Sequence, residues 1–374
     1  MQLVEENPQG SIRAAGSIFF SPWNPRAVRR VAAVANSFQP DVAHLHNTWF
    51  AMSPAVILSL KRLDIPTVLT LHNYRITCAN GLLFRDGGPC EMCVGSHPWH
   101  AVKFACYRGS RTQSLFAAAT IEVHRRLGSW TEHVNTFIAL SEAQRELMIR
   151  AGLPSSKLRV KPNFVADPGA RVRPPSASKQ VVYVGRLSEE KGVQVLLDAW
   201  EQVDMPHLEL LIVGDGPERS ALEARQPPRT RFTGPLRSSE VRSLMLSARA
   251  LVVPSLWYET MGLVVLEAFS SRLPVIASDV GAPGDIVRKA LGPKWIFRAG
   301  SVGSLKAALE TIASDSWCDA AAAHARRVFE ATFSESQAAT RLVEIYQPLV
   351  ARVQEPEHSP PEIEVPPGHG RGAQ

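Results

Sequence analysis

The stretch SLWYETMGLVVLEAF, residues 255–269, sets two carboxylates, Glu259 and Glu267, on either side of a glycine and an apolar run. The run reads as a helix beginning near Gly262, which leaves Glu259 in the loop before it and Glu267 within its first two turns. A charge on an apolar, core-facing helix is costly unless it is paired and hydrogen-bonded. Glu267 therefore either pairs with an arginine or accepts hydrogen bonds from a diol, such as the hydroxyls of a ribose. The backbone N–H groups of Met261, Gly262 and Leu263 would open the helix, where a phosphate is stabilised. Glu259 then reaches the group beyond that phosphate, or else stands in solvent.

GRLSEEKG, residues 185–192, follows the apolar run VVYV. Gly185 lets the chain turn, and Arg186 and Lys191 bring two cations to the loop and first turn of the next helix. They make an anion site if they converge beside the helix start and a solvated surface if they do not. GDGPE, residues 214–218, follows LLIV and is a tight turn into a helix. It does not match G-x-G-x-x-G, so the dinucleotide fingerprint is absent. In the first half, TLHNYR places His72 at a strand end, and HLHN places His46 and Asn47 at a neighbouring one. A lone histidine there is ordinarily structural; two at adjacent strand ends facing a cleft point to a shared site. Cys78, Cys90, Cys93 and Cys106 give C-x11-C-x2-C-x12-C, which is compatible with tetrahedral zinc and equally with four reduced thiols in a loop. Cys318 stands apart as a packing residue.

The elements that must hold these residues alternate. DVAHLH (41–46), PTVLTL (66–71), FIAL (137–140), VVYV (181–184), LELLIV (208–213), ALVV (250–253) and PVIA (274–277) read as buried strands. Helical patterns lie between them: Val193, Leu196, Leu197 and Trp200 mark one buried face, and Ser141 with Gln144 forms a capping box. Such alternation implies α/β architecture with parallel sheets covered on both sides, where ligands sit beyond the carboxyl ends of strands. The sequence divides into residues 1–166, a Pro/Ser/Gly-rich linker at 167–179, a second domain at 180–354 and a Pro-rich tail at 355–374 expected to be disordered.

A chain of 374 residues, 45% hydrophobic and 20% charged, suits two globular domains. No run approaches the ~20 apolar residues of a membrane span. The polar start MQLVEENPQG does not read as a signal peptide, so the expected compartment is the cytoplasm. The five cysteines argue against a secreted disulfide framework. Positive charge is concentrated early. Residues 1–170 carry 18 basic against 11 acidic side chains, and the remainder 23 against 24. That is either a solvated basic surface or an attraction to an anionic membrane face or polyanionic acceptor. No aromatic-basic repeat supports nucleic-acid binding.

Together, VVYVGRLSEEKG, LLIVGDGPE and YETMGLVVLEAFSSRLPVIASDVGAPGDIV resemble retaining glycosyltransferases of family 4, over residues about 180–350. The resemblance implies the GT-B fold, two Rossmann-like parallel-sheet domains facing a cleft. It implies that Glu259 binds donor-sugar hydroxyls, Glu267 the ribose, and Arg186 and Lys191, beside Gly185, the diphosphate. Gly262 and Leu263 match the phosphate-binding helix start. FTGPL (232–236), with Pro235 and Leu236, is similar to the strand and loop whose backbone reads the base. His72 is similar to the histidine that contacts the transferred sugar, so His72 and Glu259 are the expected catalytic pair. The insertion at 78–106, LLFRDG through C-x-x-C to CYRGS, resembles one found in a bacterial subset of the family.

Relative to that family, the usual first strand with its Gly-rich loop, first helix and second strand are not legible before DVAHLH, so the first domain is expected to be truncated at its start. The implied activity is transfer of a sugar from a nucleotide-diphosphate donor to a polysaccharide or lipid-linked acceptor, at the inner membrane face if peripheral. No cofactor is required for catalysis, in keeping with the lack of a D-x-D motif, and zinc is a structural candidate only. The alternative is a non-catalytic nucleotide-binding or zinc-bearing interaction protein of the same fold.

Overall fold

Runs of consecutive apolar residues become strands buried on both faces, and parallel pairing follows because each is joined to the next through a helix. The computed structural model describes residues 20–50 and 52–354. The first sheet has the order β1-β2-β5-β6, from Ala43–His46, Thr67–Thr70, Thr136–Ala139 and Leu158–Val160. All its pairings are parallel. Between β2 and β5 lies the insertion, with a two-residue hairpin of β3 (Phe84–Arg85) and β4 (Gly88–Pro89). The second sheet joins β7 (Gln180–Val184), β8 (Glu209–Val213), β9 (Thr230–Gly234), β10 (Ala250–Val253), β11 (Val275–Ser278) and β12 (Ile296–Phe297). Its order is β12-β11-β10-β7-β8-β9, again all parallel.

Each expected strand is present within a residue or two. β6, β12 and the hairpin were not anticipated. The expected helical face is fully buried, with Val193, Leu196, Leu197 and Trp200 all at 0% exposure. The cap at Ser141 forms as a variant: its Oγ accepts from Gln144 N, but the Gln144 side-chain Oε1 accepts from Leu140 N rather than from the cap residue. The amide nitrogen of Gln144 then donates to Leu71 O, so this buried glutamine ties β5 to the end of β2.

Ahead of β1 runs the helix Pro25–Phe38, capped by the Asn24 side chain on Arg26 N and Ala27 N. The expected gap in the first domain falls largely on residues 1–19, outside the described residues, as does the tail at 355–374. The Pro-rich segment 167–179 is pinned rather than loose. Buried Arg171 donates to Met245 O and Ala248 O, and Asp167 pairs with Arg326.

The two halves interlock. Leu140, from the end of β5, packs in the second core, and Tyr258, from the loop after β10, packs against the first. The helix Glu335–Gln354 returns to the first sheet. Leu349 packs with Val68 and Ile138 there, joined by Leu342, Ile345 and Tyr346.

Candidate functional site

Strand order in the second sheet reverses between β7 and β10. Loops leaving neighbouring strands on opposite sides of such a point diverge and open a crevice. The loop after β7 carries Arg186 and Lys191; the loop after β10 carries Glu259. They converge there: Lys191 Nζ stands 2.5 Å from Glu259 Oε1. Ser255 Oγ donates to the same oxygen at 2.5 Å, and Ser278 Oγ holds the Ser255 carbonyl at 2.6 Å. Glu259 is only 6% exposed. Lys191 closes a 3₁₀ turn, Glu189–Lys191, just ahead of the helix Val193–Trp200, instead of lying in the helix itself. Arg186 is exposed on the same loop.

Glycines let these loops pack backbone to backbone. A Cβ on Gly281, at φ +71°, would lie 2.6 Å from Glu259 N, and Ala282 N donates to Glu259 O. In the GDGPE turn the need is similar: a Cβ on Gly214 would fall 1.8 Å from the carbonyl oxygen of Gly185. The turn therefore braces the loop that carries the cations.

Gly262 caps the helix Leu263–Ser270 at φ +69°, so the helix begins where the sequence pattern places it. Leu263 is exposed at its start. Glu267 opens onto a cavity of about 230 Å³ walled by Val165, Leu236, Met245 and Arg242. The residue as a whole is exposed on its helix, not core-facing as the apolar run suggested, and its carboxyl is only partly enclosed by the wall. That partial burial pushes its pKa up, opposed by the nearby Arg242 cation. Leu236 of FTGPL thus shares a pocket with Glu267, whereas Pro235 is exposed.

From the first sheet, His46 Nδ1 and His72 Nε2 are 2.7 Å apart and share a single hydrogen. His44, two residues before His46 and on the same face of β1, stacks on it at 4.3 Å. The His44 ring nitrogens contact Tyr346 Oη at 2.5 Å and Thr70 Oγ1 at 2.7 Å. Burial, then the charges of His46 and Lys161, lower the His44 pKa to about 4; burial also lowers those of His46 and His72. Thr260 joins the halves beside these rings: its hydroxyl donates to His72 O and its carbonyl accepts from Ser141 Oγ. Asn47 accepts from the Asn73 amide at 3.0 Å.

All five cysteines are free thiols. Cys78, Cys90, Cys93 and Cys106 are near enough that burial and mutual repulsion push the Cys93 thiol up to about 12. Yet Cys78 Sγ turns to Asn80 Oδ1 at 2.9 Å. Among the described residues no group of three or more His, Cys, Asp or Glu side chains is placed to hold a metal ion. The tetrahedral set compatible with the spacing is not formed by the side chains in this arrangement.

Ser255, Tyr258, Thr260, Ser278 and Gly281 escaped the sequence reading. Each acts through a tertiary contact, and only the glycine in SDVGAPG, just after a strand, carried a local signal.

Two family models match in tandem: a glycosyl transferase 4-like domain over residues 11–163 and a glycosyl transferases group 1 domain over residues 178–315. The chain is 28% identical over 320 residues to the glycogen synthase of Mycobacterium tuberculosis, spanning 83% of this chain and 69% of that protein. It is 30% identical over 268 residues to a GDP-mannose-dependent alpha-mannosyltransferase of Mycolicibacterium smegmatis, spanning 69% of this chain and 61% of that one. Among solved structures, the Anabaena protein HepE in complex with UDP matches with a TM-score of 0.62 at 19% identity, over 86% of this chain and 82% of that one. Sucrose-phosphate synthase from Thermosynechococcus elongatus matches at 0.60 with 20% identity, over 88% and 78%. The tandem order of the two domains, on two parallel sheets that interlock in this way, identifies the chain as a glycosyltransferase with the GT-B fold.

Proposed function

We propose that the chain moves a sugar, with retention of anomeric configuration, from a nucleoside-diphosphate donor to a polysaccharide or lipid-linked acceptor. The observation that carries this reading is the meeting of Lys191 and Glu259 at the strand-order reversal, on the same crevice-lining loops as Arg186 and the Gly262 helix start. The Glu267 pocket takes the nucleoside, its carboxylate accepting from the ribose hydroxyls. Arg186, Lys191 and the N–H groups at Gly262 and Leu263 hold the diphosphate. Glu259 faces the sugar hydroxyls, and His72 approaches the sugar from the first sheet. In the transfer, the bond from the anomeric carbon to the phosphate oxygen breaks and a bond from the acceptor oxygen forms. The acceptor proton passes to the leaving diphosphate. Charge grows on that group as the bond breaks, which is where fixed cations and helix-start N–H groups lower the barrier. The mannosyltransferase relative is named for GDP-mannose, and the HepE complex holds UDP, the nucleoside diphosphate that a UDP-sugar donor would release.

An anionic membrane surface is a proposed docking face for the acceptor side, in keeping with the basic first half. No helix among the described residues is long and apolar enough to cross a membrane.

Calorimetric titration with UDP, GDP, UDP-glucose and GDP-mannose tests the donor assignment. Glu267→Ala should weaken the preferred nucleoside diphosphate and its sugar conjugate alike, by about tenfold or more, the worth of a charge-assisted hydrogen bond. Glu259→Ala should spare the nucleoside diphosphate and reduce discrimination between sugars. Arg186→Ala should damage both. If Glu259→Ala and Glu267→Ala weaken both ligands equally, the assignment is wrong.

A further inference from the structure

Glu259 is flanked in sequence by two residues that both reach the first half of the chain. Thr260 bonds to His72 and Ser141. Tyr258 packs its ring against the first core and donates its hydroxyl to Glu91 Oε1 at 2.5 Å. Glu91 is gripped from its other side by the Arg150 guanidinium, at 2.5 Å to Oε2 and 3.2 Å to Oε1. It belongs to the cysteine-containing insertion, between Cys90 and Cys93.

That segment is itself fastened. Cys90 N donates to Leu83 O, and Thr77 Oγ1 donates to Cys93 O at 2.9 Å. Gly95, at φ +66°, packs so close to the end of the helix Glu142–Arg150 that a Cβ would lie 2.8 Å from Arg150 O. The insertion thus offers a carboxylate held on a fixed base. Across from it lies a loop, Pro254–Gly262, with no regular structure to set the position of Glu259. A site on such a loop is only as exact as the contacts that support it.

We propose that the insertion positions the donor-side carboxylate: Glu91, anchored by Arg150, holds Tyr258 and through it fixes Glu259. Glu91 is a positioning residue and touches no reacting atom. The proposal rests on the reading of Glu259 as the group that meets the donor sugar. The donor and acceptor roles of the contact persist through neutral pH. The Arg150 guanidinium keeps the Glu91 carboxyl below the usual carboxylate range, and burial, then Glu91 itself, pushes Tyr258 up to about 12.

The test uses the full chain and three variants: Tyr258→Phe, which keeps the ring, Glu91→Gln, which keeps an acceptor, and the double Glu91→Ala/Tyr258→Phe. Hydrogen–deuterium exchange without any nucleotide is read across residues 256–262. Tyr258→Phe should speed exchange there by about tenfold, the double variant no further, and Glu91→Gln less, as expected when one charge-assisted bond is the shared element. Turnover with UDP-glucose or GDP-mannose should fall in the same order, while the affinity for UDP or GDP alone stays within about twofold, because the nucleoside pocket is untouched. Unchanged exchange in both single variants, or losses that add in the double, overturns the proposal. If exchange responds as stated but the wild-type chain binds neither UDP nor GDP, the clamp stands and the nucleotide reading falls.

Discussion

Lys191 and Glu259 leave adjacent parallel strands, β7 and β10, and meet at 2.5 Å over the point where the second sheet reverses its order. The contact closes the crevice floor with one charge of each sign. Removing the cation leaves a shielded carboxylate with Ser255 as its remaining hydroxyl partner in that cluster. Breaking a buried pair from one side costs ~3–5 kcal/mol. The Lys191 side chain is 23% exposed, so Lys191→Met should fall at or below the lower end of that range. Glu259→Gln leaves a lysine that can turn to water and should cost about 1 kcal/mol or less. The double variant should recover most of the Lys191→Met loss. Chemical denaturation of the three proteins measures this, and strict additivity would show that the pair is not coupled.

Two glycines should respond in opposite directions to the same substitution. Gly214→Ala drives a methyl group to 1.8 Å from Gly185 O at a backbone φ of +141°. Overpacking of this kind costs about 1–3 kcal/mol or more, and relief must come from the cation-bearing loop after β7. Diphosphate affinity should therefore drop along with stability. Gly303 lies in the helix Val302–Glu310 with nothing within 4 Å of a new Cβ. Gly303→Ala should stabilise by about 0.5–1 kcal/mol and leave ligand affinity alone. Thermal melts and titrations on both variants separate the two cases.

The histidines predict a pH dependence with a definite sign. Folded His44, His46 and His72 all have pKa values below the ordinary histidine range, so the unfolded chain takes up protons first as pH falls. Their contribution is flat above pH about 7 and becomes destabilising through the usual value near 6.5. For His44 it levels off below about 4. Other acidic groups titrate in this window, so the comparison is with His44→Gln. Wild-type stability should fall more steeply than that of the variant between pH 7 and pH 5. A slope equal to the variant's would mean that His44 is not held neutral by its surroundings.

The strands that were legible in the sequence are those buried as uninterrupted apolar runs, such as ALVV, which is β10 residue for residue. β6 escaped because an arginine sits in the middle of its three residues, and β12 because two residues carry no period. The helix start at Gly262 was readable because a glycine precedes an apolar run. The pairing of Lys191 with Glu259 was not, since it depends on which strands become neighbours, and sequence-order strands β7 and β8 also pair. The role of Glu91 was hidden for the same reason: its partners Arg150 and Tyr258 lie far along the chain. The histidines at the ends of β1 and β2 were visible as a pair, but the tyrosine that completes their setting comes from the last helix.

That last helix bears on how the molecule is manufactured. Tyr346 and Leu349 cover the wall of the first sheet built by Val68 and Ile138. A ribosome delivers those strands early, and at about 5–20 residues per second the segment that covers them follows some ten to forty seconds later. During that interval the nascent first half carries a bare apolar wall, open to chaperones or to other nascent chains. Interruption of translation before Glu335 would leave it bare for good. The first half is thus begun before the second and completed after it, once the helix Glu335–Gln354 has been made.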